Sequence, residues 1–197
     1  MMKIVSIKQI YLILVINLLL GINLYACDET VIIDSVEYEV TGRWCDKALD
    51  SSLIAQPELL VKLPDSLTFE DYNIYVRAVT RDAFIEMSNA ARKDSVILIT
   101  DSGYRSGNFQ RRIIKRRMAE GDSFENIIRF VAPPGYSEHE SGYALDLVPS
   151  EARFAHTKIY KWLKENANEF GFFETIPEDS TGKIYWESWH WVYKSSE

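Results

Sequence analysis

Histidine is scarce in this chain. Its 197 residues hold only three, His139, His156 and His190, and only two cysteines, Cys27 and Cys45. Basic charge is also in short supply: 22 Lys and Arg face 29 Asp and Glu, for a formal net charge of −7. An acidic surface of this kind argues against nucleic acid and anionic lipid as partners. The local exception, "RRIIKRR" at 111–117, reads as a solvated helix face flanked by acids. Internal repeats and low-complexity tracts are absent. The scarcity of histidine makes any metal site easy to account for, because few ligand sets are available.

The first 26 residues differ from the rest. "MMKIVSIKQ" carries two lysines and no acid, "IYLILVINLLLGINLYA" (10–26) is almost wholly apolar, and Ala26 is small. That order is the pattern of an export signal peptide over 1–26, and it predicts an exported protein of the periplasm or cell envelope. A retained membrane anchor is the weaker reading, because the apolar run is at the short end for a span. Without 1–26 the chain has 171 residues and a net charge of −9, enough for one domain with its own core. Cys27 and Cys45 can pair in an oxidising compartment. Alternatively "LYAC" (24–27) resembles a lipoprotein signal, with Tyr25 bulky for it; a lipidated Cys27 would tether the protein to a membrane and leave Cys45 free. Both readings stay open on the sequence.

Further along, "TVIIDSVEYEVTGRW" (30–44) alternates like an extended segment or hairpin, and 45–66 looks like a surface connection. Apolar residues at helical spacing (Tyr75, Val79, Phe84, Met87, Ala91) predict one long amphipathic helix over 67–94, capped by Asp71 or Thr68. "SVILIT" (95–100) reads as a buried strand followed by a turn, "DSGYRSGN". A helix over 109–121 ends at Gly121, and a short one in "SFENIIRFV" breaks at Pro133-Pro134-Gly135. "GYALDLVP" (142–149) is a predicted strand, 150–171 a third helix, and "FFETIP" and 183–193 the last strands. The fold class expected is α+β in a single domain, a small antiparallel sheet packed with helices. The segments are an export signal at 1–26, an N-terminal extension at 27–66 and a main domain at 67–197.

"SEHESGYALD" (137–146) places His139 and Asp146 seven residues apart with small residues between. In a strand the neighbours Leu145 and Leu147 share one face and Asp146 the other. A carboxylate beside a core is costly unless it is paired or coordinates a metal. A lysine or backbone amides would satisfy it equally well, so the spacing alone leaves a metal open. His156, among charged neighbours in a helix, reads as a surface residue. His190 lies in "YWESWHWVY" with Glu187 three residues before it; the two can serve one cleft only if a bulge or twist near Ser188 brings them to the same side. "SGYRS" would project Arg105 from the end of a rigid element, unless it makes only a surface ion pair. Together these residues compose one device. His139, Asp146 and His190 form a two-His, one-carboxylate set that suits a single catalytic Zn²⁺. Glu187 would take a proton from the attacking water, and Arg105 would face the charge developing on a substrate carbonyl.

At this point a resemblance is visible. "SEHESGYALD" is similar to the S-x-H-x-x-G-x-A-x-D motif of the VanY-type zinc D-alanyl-D-alanine carboxypeptidases, which trim peptidoglycan stems. "ESWH" resembles their E-x-W-H motif, "SGYRSGNFQ" their S-G-Y-R-S…Q element, and "ENANEFGF" the helix end before the last strands. The four stand in the family's order over roughly 95–193. The resemblance implies the hedgehog/D,D-peptidase fold and zinc at His139, Asp146 and His190. It implies Glu187 as catalytic base and Arg105 as oxyanion arginine. Ser137 and Gln110 fall on substrate-side positions, and Trp189 on the pocket wall. Three departures touch the substrate pocket and no ligand: Ser188 replaces a frequent proline, "ETIP" lacks the arginine of R-Y-P, and Val192 stands where a basic residue is frequent. The implied activity is removal of the terminal D-Ala from a stem peptide by a monomer. Rivals are an L,D-carboxypeptidase, a D,D-dipeptidase or an endopeptidase on the same stems, and, from another class, a non-catalytic zinc-stabilised wall-binding protein.

Overall fold

The computed structural model describes residues 26–178 and 186–194. Residues 1–25 of the predicted signal segment, the "DSTGKIY" part of the last loop (179–185) and residues 195–197 lie outside them. Among the described residues, eight strands and four α-helices follow in chain order. A hairpin comes first: β1 (Ala26–Ile33) pairs antiparallel with β2 (Val36–Thr41). Next, β3 (Leu60–Lys62) pairs antiparallel with β4 (Tyr75–Arg77). α1 (Ala78–Lys93) leads through 94–99 to β5 (Thr100–Ser102). α2 (Gly107–Ala119) and α3 (Phe124–Ile128) precede β6 (Ala144–Leu147). α4 (Lys158–Asn166), β7 (Phe172–Glu174) and β8 (His190–Tyr193) close the chain. The third sheet has the order β5-β6-β8-β7, antiparallel throughout. The expected α+β architecture of small antiparallel sheets and helices is therefore present.

Several element boundaries differ from those expected on the sequence. The helix expected over 67–94 begins at Ala78. Residues 75–77 are used instead in pairing with β3, and Arg77 donates from its backbone N to Gly142 O and from Nε to Ser141 O. Tyr75 and Val79 are accordingly exposed, while Phe84, Met87 and Ala91 are buried. Neither Thr68 nor Asp71 caps α1; its N-cap is Arg77. The apolar run 95–100 becomes strand only at Thr100: Ser95 is a turn residue at φ 57°, Val148 N donates to Ile99 O, and Val96 and Leu98 are buried in the core while Ile97 is exposed. The helix expected over 150–171 is split. A 3-10 turn spans Ala152–His156, and the extended Thr157 restarts the chain as α4 by accepting Tyr160 N–H on its hydroxyl. Finally, residues 45–66 are more than a connection, since they supply β3.

Two apolar clusters hold these pieces. The larger joins Phe84, Met87 and Ala91 of α1 to Leu145 and Leu147 of β6, Trp162 and Leu163 of α4, and Phe172 and Trp191 of the sheet. The second packs the hairpin (Val31, Ile33, Val40) on α2 and α3 through Ile114, Phe124, Ile127 and Ile128. Tyr38 stacks on Phe124 with ring centroids 4.7 Å apart. Cys27 and Cys45 are joined as a disulfide, so in this structure Cys45 is not a free thiol. Among the described residues no helix is long and apolar enough to cross a membrane.

Candidate metal centre

The sheet register brings together residues that are distant in the chain. β6 and β8 are antiparallel, and Asp146 stands directly opposite His190. Side chains of such pairs start about 5 Å apart on one face. Asp146 Oδ1 accordingly lies 2.9 Å from His190 Nδ1. Leu145 and Leu147 fall on the other face, in the core, as the alternation expected. His139 reaches the same point from a 3-10 turn, Glu138–Ser141, just ahead of β6. Gly142 ends that turn in the left-handed region at φ 74°, where a Cβ would press on Leu60 Cδ2 at 3.0 Å. The His139 ring is oriented by Gly103, whose carbonyl accepts from Nδ1 at 2.6 Å. A Cβ at Gly103 would meet Ile74 Cγ2 and Tyr75 O at 2.7 Å, so only glycine lets that carbonyl approach.

Proton accounting shows what the cluster can hold. A carbonyl only accepts, so the neutral His139 ring keeps its proton on Nδ1 and presents a lone pair at Nε2. This buried Nε2 lies 3.1 Å from Asp146 Oδ2, yet no hydrogen bond satisfies it. A lone pair facing a carboxylate oxygen is repulsive unless a cation sits between them. Burial and the nearby Arg105 push His139 down to about 4, against the attraction of Asp146, so the ring is neutral at pH 7. His190 is the opposite case. Its Nδ1 faces Asp146 and its Nε2 faces Glu138 Oε2 at 3.0 Å. Burial lowers its pKa, but hydrogen bonds to these two carboxylates outweigh burial and raise it to about 10. The doubly paired ring needs a positive charge on the Asp146 side, which a proton or a metal ion can supply. Asp146 is held well below the usual carboxylate range: burial raises it, and the two histidines and Arg105 more than reverse that. One ligand atom from each of His139, Asp146 and His190 lies within 4.8 Å of the others, and all three residues are buried. The donor set therefore fits a divalent ion of the zinc type.

The other expected residues surround this cluster. Glu187 and His190 are linked by a tight turn in which His190 N donates to Glu187 O at 2.9 Å. This is the departure from an ideal strand that the sequence required, and among the described residues β8 starts at His190; residues 183–185 of the expected strand lie outside them. Glu187 is mostly buried; burial raises its carboxyl, His190 opposes that and Asp146 adds to it. Arg105 follows β5 and lies with Nη2 3.4 Å from Asp146 Oδ2, so its acidic partner belongs to the cluster and not to the surface. Ser137, Gln110 and Trp189 line the same cavity of about 310 Å³ as the three ligand candidates, Glu187 and Arg105. Gln110 Nε2 donates to Ala132 O, and its buried Oε1 has no hydrogen-bond partner among the described residues. His156 stands apart and exposed.

Glu138, Arg43 and Trp44 are among the cavity residues that the sequence did not single out. Glu138 accepts from His190 Nε2 and from the Thr175 hydroxyl at 2.6 Å, which fixes the ring. Arg43 and Trp44, from a 3-10 turn after β2, also line the cavity. Glu138 was legible as a neighbour of His139; nothing local marks the other two.

A model of the VanY family, D-alanyl-D-alanine carboxypeptidase, matches residues 73–196. A D-alanyl-D-alanine carboxypeptidase of Enterococcus faecium is 36% identical over 126 residues, covering 62% of this chain and 39% of that protein. Among solved structures, the LdcB LD-carboxypeptidase superposes with a TM-score of 0.66 at 27% identity, covering 84% of this chain and 83% of the other. A zinc(II) complex of a mutant vancomycin-resistance D,D-pentapeptidase VanY gives a TM-score of 0.50 at 28% identity, over 67% and 82% of the two chains. The chain spans about two fifths of the length of the Enterococcus faecium relative, and about half of a second one from Enterococcus faecalis. With the metal-binding cluster, Glu187 and Arg105 all inside the matched span, the chain belongs to the VanY family.

Proposed function

We propose that this protein is a zinc-dependent D,D-carboxypeptidase that hydrolyses the terminal D-Ala from peptidoglycan stem peptides. The observation that carries the reading is the placement of Glu187 in one cavity with the buried His139–Asp146–His190 cluster. The likeness to a zinc-bound VanY structure and to curated D-alanyl-D-alanine carboxypeptidases supports both the metal and the substrate class. The leader pattern at 1–26 supports an exported enzyme of the periplasm or cell envelope, where such a substrate lies. A bound Zn²⁺ would supply Lewis acidity, polarising the scissile carbonyl and acidifying water.

The chain's own residues do the remainder. His139 holds a lone pair toward Asp146 because Gly103 O fixes its Nδ1, and Glu138 accepts from His190 Nε2, so that a metal ion taking the place of the Nδ1 proton would meet the His190 lone pair on the Asp146 side. Glu187 accepts the proton of the attacking water and delivers it to the departing amine, and its burial brings its proton affinity closer to that task. Arg105, anchored on Asp146, presents its guanidinium beside the developing oxyanion. Ser137, Gln110 and Trp189 shape the wall against which the peptide lies. An L,D-carboxypeptidase is the second reading, favoured by the structural likeness to LdcB.

Product identification tests both. Purified protein is incubated with intact pentapeptide and tetrapeptide stems, with and without a chelator, and the products are weighed by mass spectrometry. Loss of one terminal D-Ala from the pentapeptide, abolished by the chelator, is expected. Cleavage of the tetrapeptide alone would replace the D,D assignment with the L,D one. Zinc binding without any hydrolysis would leave a wall-binding protein.

A further inference from the structure

We infer that Arg43 selects the free C-terminal carboxylate of the substrate, a specificity contact supplied by the N-terminal hairpin unit from outside residues 73–196. The inference rests on the carboxypeptidase reading above. A carboxypeptidase differs from an endopeptidase in requiring a negative charge on the leaving residue, so its cavity needs a cation at that place. Among the described residues, two arginines line the cavity. Arg105 is drawn onto Asp146, on the side of the ligand cluster. Arg43 lies on the Glu187 side, with Nη2 3.8 Å from Glu187 Oε1.

That position follows the substrate's own geometry. Glu187 must reach the nitrogen of the departing amino acid, and the carboxylate carbon is two bonds from that nitrogen, about 2.5 Å away. The substrate carboxylate therefore has to sit close to the Glu187 carboxylate, where the two negative charges repel. A guanidinium bordering Glu187 relieves the repulsion, and its five donors can serve two carboxylates together.

Arg43 is also held in place before substrate arrives. Its guanidinium lies over the Trp44 ring, 4.4 Å from the centroid. Trp44 donates from Nε1 to Ile128 O and packs on the cluster of α2 and α3. The Cys27–Cys45 bridge closes the hairpin two residues after Arg43, and Leu49 N donates to Gly135 O at 2.8 Å. The side chain is only 11% exposed, so its charge acts in a poorly screened environment.

The test compares a D-Ala-D-Ala peptide with a free carboxylate against the same peptide as its C-terminal amide. Metal-loaded wild type, Arg43→Lys and Arg43→Gln are assayed for kcat/KM, with circular dichroism and metal content as controls. The acid-over-amide ratio is expected to fall at least about 30-fold in Arg43→Gln, chiefly through KM on the acid, and to fall less in Arg43→Lys. An unchanged ratio, or equal losses on both peptides through kcat, would overturn the inference; equal losses would mean that Arg43 acts only through Glu187. If Arg43→Gln does not fold, a crystal structure of the Glu187→Gln protein with the acid peptide decides: the carboxylate lies on Arg43, or the inference fails. If wild type hydrolyses neither peptide, the carboxypeptidase reading is what has failed. Calorimetric binding of acid and amide to the metal-loaded protein then still settles the role of Arg43.

Discussion

Replacing Glu187 by Gln separates the proposed chemistry from metal binding. The two side chains are nearly the same size, so the 310 Å³ cavity keeps its shape. Glu187 is not one of the three residues whose ligand atoms cluster, so the metal should stay. What the substitution removes is a proton acceptor, and general base catalysis contributes about 10²–10⁴-fold. At about 1.4 kcal/mol per factor of ten, that is roughly 3–5 kcal/mol of barrier. Stability should move differently. Burial raises the Glu187 carboxyl, so its ionisation in the folded protein costs stability as pH climbs from its ordinary range through the raised value. An uncharged amide escapes that cost at pH 7, which offsets the weakened contact with Arg43. The expected outcome is a loss of kcat with metal content and melting temperature near those of wild type. Steady-state hydrolysis, elemental analysis and a thermal melt on one preparation measure all three. A metal-loaded variant within about threefold of wild-type kcat would refute the base assignment, being far short of the effect such a base exerts. A variant that loses its metal would make Glu187 a ligand instead.

Glu138→Gln should weaken metal affinity about 10–100-fold, because the amide holds the His190 ring less firmly; chelator competition measures it. Phe84→Ala should cost about 3–5 kcal/mol in chemical denaturation, since the side chain is fully buried in the larger cluster, while kcat per folded molecule stays unchanged. The Cys27–Cys45 bridge encloses a separation of 18 residues, so Cys27→Ser/Cys45→Ser should lower stability by about 3 kcal/mol. Thiol titration and intact mass of the purified protein should show no free Cys45; a lipid-modified Cys27 would contradict the bridge.

How much of the site was legible depended on the range of the interaction. "SEHESGYALD" is local: it carries two ligand candidates seven residues apart, and alternation alone puts Leu145 and Leu147 on one face of the strand and Asp146 on the other. The scarcity of histidine left His190 as the partner. The turn at Ser188 was required as soon as Glu187 and His190 were asked to share a cleft, and it is there. Helical periodicity placed Phe84, Met87 and Ala91 correctly but ran on into 67–77. There a short strand's hydrogen bonds to β3, and Arg77's bonds to Ser141 and Gly142, prevail over local preference. The helix over 150–171 was overextended for a local reason, since Thr157 signals a new N-cap inside it.

The sequence by itself determined the chemical inventory: three histidines, an aspartate beside a core, a glutamate three residues before the last histidine, and an acidic chain with a leader-like start. Those follow from composition and short-range spacing, where side-chain direction has a fixed period. Tertiary structure alone decided that Asp146 faces His190, because strand register is a pairing between residues 44 apart. It also decided that Arg43, 144 residues before Glu187, stands beside it. That contact depends on how the hairpin packs on α2 and α3, and packing between distant segments leaves no periodic trace in the chain.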